Sequence, residues 1–189
     1  MNYNAETYQF IHYPSEKEDA FYFVSVGEKI IVKTIAYTQL EYFAVHKEHP
    51  LFNKRFFNLG FGDDSDSNHE IIDNVVSNNG DVFKVFNTVL KTVPIFFNHH
   101  RDCAIMIRGS DSNNDYEKNC RPTCKKKCTS LCKNVNRRIN IYKSYINKNY
   151  ELLSGDYNFY GGIINHSGIT MFTVYELKNN YDFVTITKK

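Results

Sequence analysis

Between Arg108 and Tyr142 the chain carries two sets of residues whose types and spacing could do chemistry. The first stands at the two ends of the stretch: Arg108, Gly109 and Ser110, then Arg137, Arg138 and Tyr142. Glycine lets a backbone turn sharply, so that free N–H groups can face an anion. Serine adds a hydroxyl donor, and the planar fork of arginine grips a phosphate through two hydrogen bonds. If the chain loops back, Arg108, Ser110, Arg137 and Arg138 converge on one phosphate. Tyr142, one helical turn beyond Arg138, can then stack on a base. The plainer reading is that Gly-Ser ends a strand, the arginines sit on a helix surface and Tyr142 belongs to the core.

The second set is Cys120, Cys124, Cys128 and Cys132, spaced four apart throughout. On a continuous helix the outer two would stand ~18 Å apart, too far to share one ion. Only a non-helical loop could wrap all four around a single Zn²⁺, and the spacing differs from the usual C-x₂-C knuckle. Neighbouring pairs could bind a soft metal with outside ligands such as His99, His100 or Cys103, although Cys103 reads better as a small buried residue. The lysines between them would lower thiol pKa values and favour oxidation. The same lysines could hold nucleic acid in a salt-dependent, sequence-blind way. An inert basic insertion stays open beside these readings.

Other constellations are weaker. His46 and His49 are three apart with no third ligand nearby. Asp64–Asn68 resembles a calcium loop but lacks its glycine and its closing glutamate. Asp63, Glu70 and Asp73 could hold Mg²⁺ on a hairpin, yet acidic turns are common without function. A nucleophile elbow, a P-loop, a dinucleotide fingerprint and a zinc-protease helix are all absent.

The surrounding elements must position these groups. The chain has 189 residues, 15% aromatic, and a net charge of +2, which suits one domain with a substantial core. Near-neutrality conceals segregation: residues 118–143 hold six Lys and three Arg without an acid, while 63–73 hold four Asp and one Glu without a base. No stretch reaches the ~20 apolar residues of a membrane helix, and the start lacks signal-peptide character. The expectation is a cytoplasmic protein with mostly reduced cysteines and no membrane partner.

In order, residues 7–13 suggest a short strand, and 20–26 with 29–37 a hairpin about Gly27-Glu28. Residues 56–63 and 69–76 read as strands flanking a polar tip. Ser77–Asp81 starts a helix with Val82, Phe86, Val89, Val93 and Phe97 on one face, widened by Phe83 and Leu90. Pro94 should bend or end that helix near Val93. A buried strand follows at 103–107, and Val135, Ile139, Tyr142, Ile146 and Tyr150 trace a second helix. Strands at 157–160, 169–177 and 183–187 complete the set, with Gly161-Gly162 and Lys178–Asn180 as turns.

Several of these segments resemble a known family. They are Asn58–Asp63, Ser77–Asp81 with Lys84-Val85 and Thr92-Val93, Gly109-Ser110, and Arg137-Arg138 through Tyr142. They resemble, over roughly residues 18–187, an uncharacterised bacterial domain of unknown function found mostly in Bacteroidota. The resemblance implies an α+β fold and a cytosolic bacterial protein, without a settled activity. In the family the arginines follow Gly-Ser closely, whereas here 26 residues, 111–136, intervene.

The expected architecture is a single α+β domain over residues 1–189. It has a mostly antiparallel sheet of about six to eight strands, two principal helices on one face, and a Cys/Lys-rich insertion at about 111–134. The expected function is binding of a phosphate-bearing ligand, RNA or DNA, at Arg108, Gly109, Ser110, Arg137, Arg138 and Tyr142. A nuclease-type toxin of a toxin–antitoxin or defence pair would be its enzymatic form. The alternatives are a non-enzymatic module for a partner protein, and a zinc protein using Cys120, Cys124, Cys128 and Cys132.

Overall fold

The computed structural model describes residues 6–41, 43–65, 71–72, 79–112, 115–124, 126–130, 132–165 and 170–189. Among these residues it contains nine strands and three α-helices, an α+β arrangement that is mostly antiparallel. The chain forms two compact units: Met1–Phe43 with Lys47–Ile105, and Ala44–His46 with Met106–Lys189.

The first unit opens with β1 (Phe10–Tyr13), β2 (Glu18–Val26), β3 (Ile30–Gln39) and β4 (Arg55–Asp64), paired antiparallel in that order. The hairpin expected about Gly27 is β2–β3, with Ala20 opposite Ala36. The two-residue β5 (Ile71–Ile72) pairs with β4. The rest of the strand expected at 69–76 lies outside the described residues. Asp63 takes the Lys33 ammonium, and Asp64 accepts the Thr34 hydroxyl at 3.0 Å; Glu70 and Asp73, the other acids of the expected Mg²⁺ set, lie outside the described residues.

Helix α1 (Val82–His99) continues through Pro94 rather than ending near Val93. Proline removes an amide donor there, but burial of Phe96 and Phe97 holds the last turn, and His100 N–H closes it on the Phe96 carbonyl at 2.8 Å. The buried face also differs from the apolar stripe in the sequence. Val82 and Phe83 are 51% and 67% exposed, while Val85, Thr88, Thr92, Val93, Phe96 and Phe97 are buried. The threonines can go inside because their hydroxyls are satisfied: Thr88 donates to the Lys84 carbonyl, Thr92 to that of Val89, and Tyr37 Oη meets Thr92 Oγ1 at 2.8 Å. Tyr37 stacks on Phe96, ring centroids 4.3 Å apart, beside fully buried Phe21 and Phe57. Each such ring contributes about 1.5–3 kcal/mol by leaving water.

Strand β6 (Cys103–Arg108) is buried through its first five residues, as its apolar run requires. The chain passes from one unit to the other inside it. The second unit then has the five-residue α2 (Tyr116–Cys120), α3 (Arg137–Asp156), β7 (Tyr157–Ile164), β8 (Thr170–Val174) and β9 (Phe183–Lys188). Strand β7 lies between β9 and β8, antiparallel to both. Helix α3 packs on β7 and β9 and buries Ile139, Lys143, Ile146 and Leu153, a stripe three to seven residues apart.

Gly161 and Gly162 are not a turn. They sit mid-strand in β7, paired with Val184 and Phe183 on one side and with Thr173 and Phe172 on the other. A Cβ at Gly161 would lie 2.0 Å from the Tyr181 ring, and one at Gly162 2.0 Å from the Phe183 ring. The glycines exist because aromatic rings cover them.

Candidate functional site

The cysteine segment leaves helical geometry where the wrapping argument requires it. Helix α2 stops at Cys120, a 3-10 turn with Pro122 in it follows at Arg121–Thr123, and α3 starts only at Arg137. Lys127 (φ +46°) and Asn136 (φ +59°) take left-handed backbone, which turns the chain back on itself. Lys127 N–H closes on the Cys124 carbonyl at 3.2 Å, and Val135 N–H on that of Cys132 at 3.1 Å.

These turns gather the thiols. The Sγ atoms of Cys120, Cys124 and Cys132 all lie within 4.8 Å of one another, and the three could hold a metal ion. Cys120 and Cys132 are 3.7 Å apart, and Cys128 stands outside the trio but 4.0 Å from Cys124. All the cysteines are free. Donors surround the sulfurs: Asn134 Nδ2 reaches Cys120 at 3.3 Å and Cys124 at 3.6 Å, and Lys133 N–H reaches Cys128 at 3.3 Å. The backbone N–H of Lys126, with help from the neighbouring thiols, holds Cys124 below the ordinary cysteine range.

Among the described residues no histidine joins this cluster. His49 Nδ1 accepts the N–H of Leu51 at 3.2 Å inside a turn. His100 Nε2 faces the fully buried Asp19 at 3.3 Å, with His12 Nε2 at 3.3 Å from the other carboxylate oxygen. Cys103 is buried and donates to the His100 carbonyl at 2.9 Å; burial pushes its thiol up to about 12.

The basic set converges in part. Ser110 opens a 3-10 turn, Ser110–Ser112, and the Arg138 guanidinium donates to its hydroxyl at 2.5 Å. The reason is Asp111, a residue the sequence reading passed over. Asp111 is 4% exposed; its carboxylate accepts Arg138 N–H at 3.0 Å and its carbonyl accepts Asn136 N–H at 3.1 Å. It caps α3 from 27 residues away, a role the local sequence of the helix cannot reveal. The α3 N-terminus is therefore met by the protein's own carboxylate. Gly109 is needed for this approach, since a Cβ there would lie 2.6 Å from Asp111 Oδ1 and 3.0 Å from Ile139 N. Arg108 is half-buried at the end of β6, Arg137 is exposed, and Tyr142 is half-buried.

A second feature had no sequence signal. Beside the cysteines lies a cleft of about 550 Å³, lined by Cys132, Ile139, Asn140, Lys143 and Asn180 among others. Lys143 is buried in the α3 stripe and donates to Asn180 Oδ1 at 3.1 Å.

Fold and site together define an α+β protein with a loop whose Cys120, Cys124 and Cys132 could hold a metal. The chain belongs to the family described as "Family of unknown function (DUF6934)", which matches residues 4–116, more than half of its length. The match takes in Arg108, Gly109, Ser110 and Asp111; Cys120–Cys132 and Arg137–Tyr142 lie beyond it. No curated protein and no solved structure matches the chain. Among the described residues, no helix is long and apolar enough to cross a membrane.

Proposed function

We propose that this protein binds one Zn²⁺ through the thiolates of Cys120, Cys124, Cys128 and Cys132. The observation that carries this is the sulfur spacing. A tetrahedral ion with Zn–S bonds of ~2.3 Å sets its ligand sulfurs about 3.8 Å apart. The Sγ atoms of Cys120, Cys124 and Cys132 lie within 4.8 Å of one another, with Cys120 and Cys132 at 3.7 Å, and Cys128 stands 4.0 Å from Cys124 as the fourth ligand to be drawn in. Four protein ligands leave no open position for substrate, so the role is structural: the ion closes the loop between α2 and α3. The Asn134 amide and Lys133 N–H act as outer donors that offset thiolate charge. Elemental analysis of protein purified under reducing conditions should find one zinc per chain, lost when all four cysteines become serine. Metal-free protein of unchanged stability would end the proposal.

A second reading is favoured by the Arg138–Ser110 contact: a phosphate-bearing ligand, RNA or DNA, bound at Ser110, Arg138 and the neighbouring Arg137. What supports it is a guanidinium and a hydroxyl at 2.5 Å, beside a segment rich in lysine. Such binding should weaken steeply with salt and in the Arg137→Ala, Arg138→Ala double variant. Undetectable binding of both nucleic acids at low salt removes it.

A further inference from the structure

We propose that the cleft against α3 binds a small molecule through a carboxylate or phosphate seated on Lys143, with Asn136, Asn140 and Asn180 bonding its other polar atoms. The cleft holds about 550 Å³, within the ~300–1,000 Å³ typical of small-molecule sites. Lys143 lines it and is 7% exposed. An ammonium group has three donors, and here one goes to a neutral amide oxygen, that of Asn180.

The acids that also line the cleft each accept a donor other than Lys143. Asp182 Oδ2 accepts Ile164 N–H at 2.7 Å, and Glu117 Oε1 accepts the Arg121 guanidinium. Among the described residues no carboxylate pairs with Lys143. Burying a cation without a counter-charge is unfavourable, and burial holds the Lys143 ammonium below the ordinary lysine range. Yet the chain places lysine in the stripe between Ile139 and Ile146, where a leucine would bury at no electrostatic penalty. An oxyanion supplies the counter-charge that the described residues do not give Lys143. The three asparagine amides each donate and accept, which suits hydroxyl or amide groups on the ligand. Ile139 and Ile163 offer apolar wall for its carbon skeleton.

The test is calorimetric titration of the full-length protein with inorganic phosphate, succinate and adenosine 5′-monophosphate, which separates a phosphate from a carboxylate preference. At least one should saturate, and Lys143→Met should weaken it about 10- to 100-fold, the value of one charge-assisted hydrogen bond. Should Lys143→Met fail to fold, Asn140→Ala, at an exposed position of α3, should still weaken binding several-fold. Failure of all three probes to saturate overturns the proposal. So does binding that survives Lys143→Met, or Asn140→Ala in its place, and is lost in Arg138→Ala, since the anion then sits at the other site.

Discussion

Gly109→Ala probes the link between the chain's basic turn and α3. The new methyl would stand 2.6 Å from Asp111 Oδ1, 2.9 Å from Ser112 Oγ and 3.0 Å from Ile139 N. The carboxylate is the atom group able to give way, and moving it breaks its bond to Arg138 N–H. Losing such a cap costs about 0.5–2 kcal/mol. Overpacking that does not relax costs about 1–3 kcal/mol. Because displacing Asp111 relieves the clash at the expense of the cap, the two do not simply add, and a net loss of about 2 kcal/mol is expected. Two compact units make a single global unfolding free energy a poor measure. Amide hydrogen exchange over residues 137–143 reads the α3 start directly. Exchange there should accelerate roughly thirtyfold, the equivalent of about 2 kcal/mol. In an Asp111→Ala background the same substitution should cost at least about 1 kcal/mol less, because the cap is already gone. Equal cost in both backgrounds, or unchanged exchange, would refute the reasoning.

Three further outcomes follow from buried groups and close packing. Burial raises the Tyr157 and Tyr175 phenols and the Cys103 thiol to about 12. The unfolded chain releases these protons from about pH 9 and 10 while the folded chain keeps them. Urea midpoints should therefore fall between about pH 9 and 12, each group removing up to about 1.4 kcal/mol of stability per pH unit; a flat alkaline profile contradicts this. Asp63→Ala strands the buried Lys33 ammonium and should cost about 3–5 kcal/mol, whereas Lys33→Met with Asp63→Leu should cost far less, as thermal melts would show. Gly162→Ala drives a methyl into the Phe183 ring and should lower stability by about 1–3 kcal/mol, while Gly155→Ala, with open space at its Cβ, should not.

How far the structure could be read from sequence depended on whether its causes were local. The β2–β3 hairpin was legible because β-formers flank a short glycine turn and partner each other directly. The α1 face was not, because Thr88 and Thr92 look polar until the carbonyls and Tyr37 that satisfy them are seen. Gly161-Gly162 imitated a turn, since the rings that demand glycine lie some 20 residues further on. The cysteine spacing fitted a helix or a loop equally well. What decides between them is the break after Cys120 and the left-handed Lys127. The cleft was out of reach altogether: Lys143 is an ordinary helix lysine until Asn180, 37 residues away, meets it.

The bare backbone of β7 has a consequence for how the sequence can vary. A side chain at position 161 and the ring at 181 would claim the same volume, as would 162 and 183. Each pair is one packing unit written in two places, so bulk can migrate across the strands but cannot be held on both. Tyr181 also lines the cleft, and its hydroxyl accepts Glu176 N–H at 3.0 Å. Any drift at residue 161 is thus forced on the wall of the cleft, and homologues with a side chain at that position should carry a smaller residue at 181 and a differently shaped pocket.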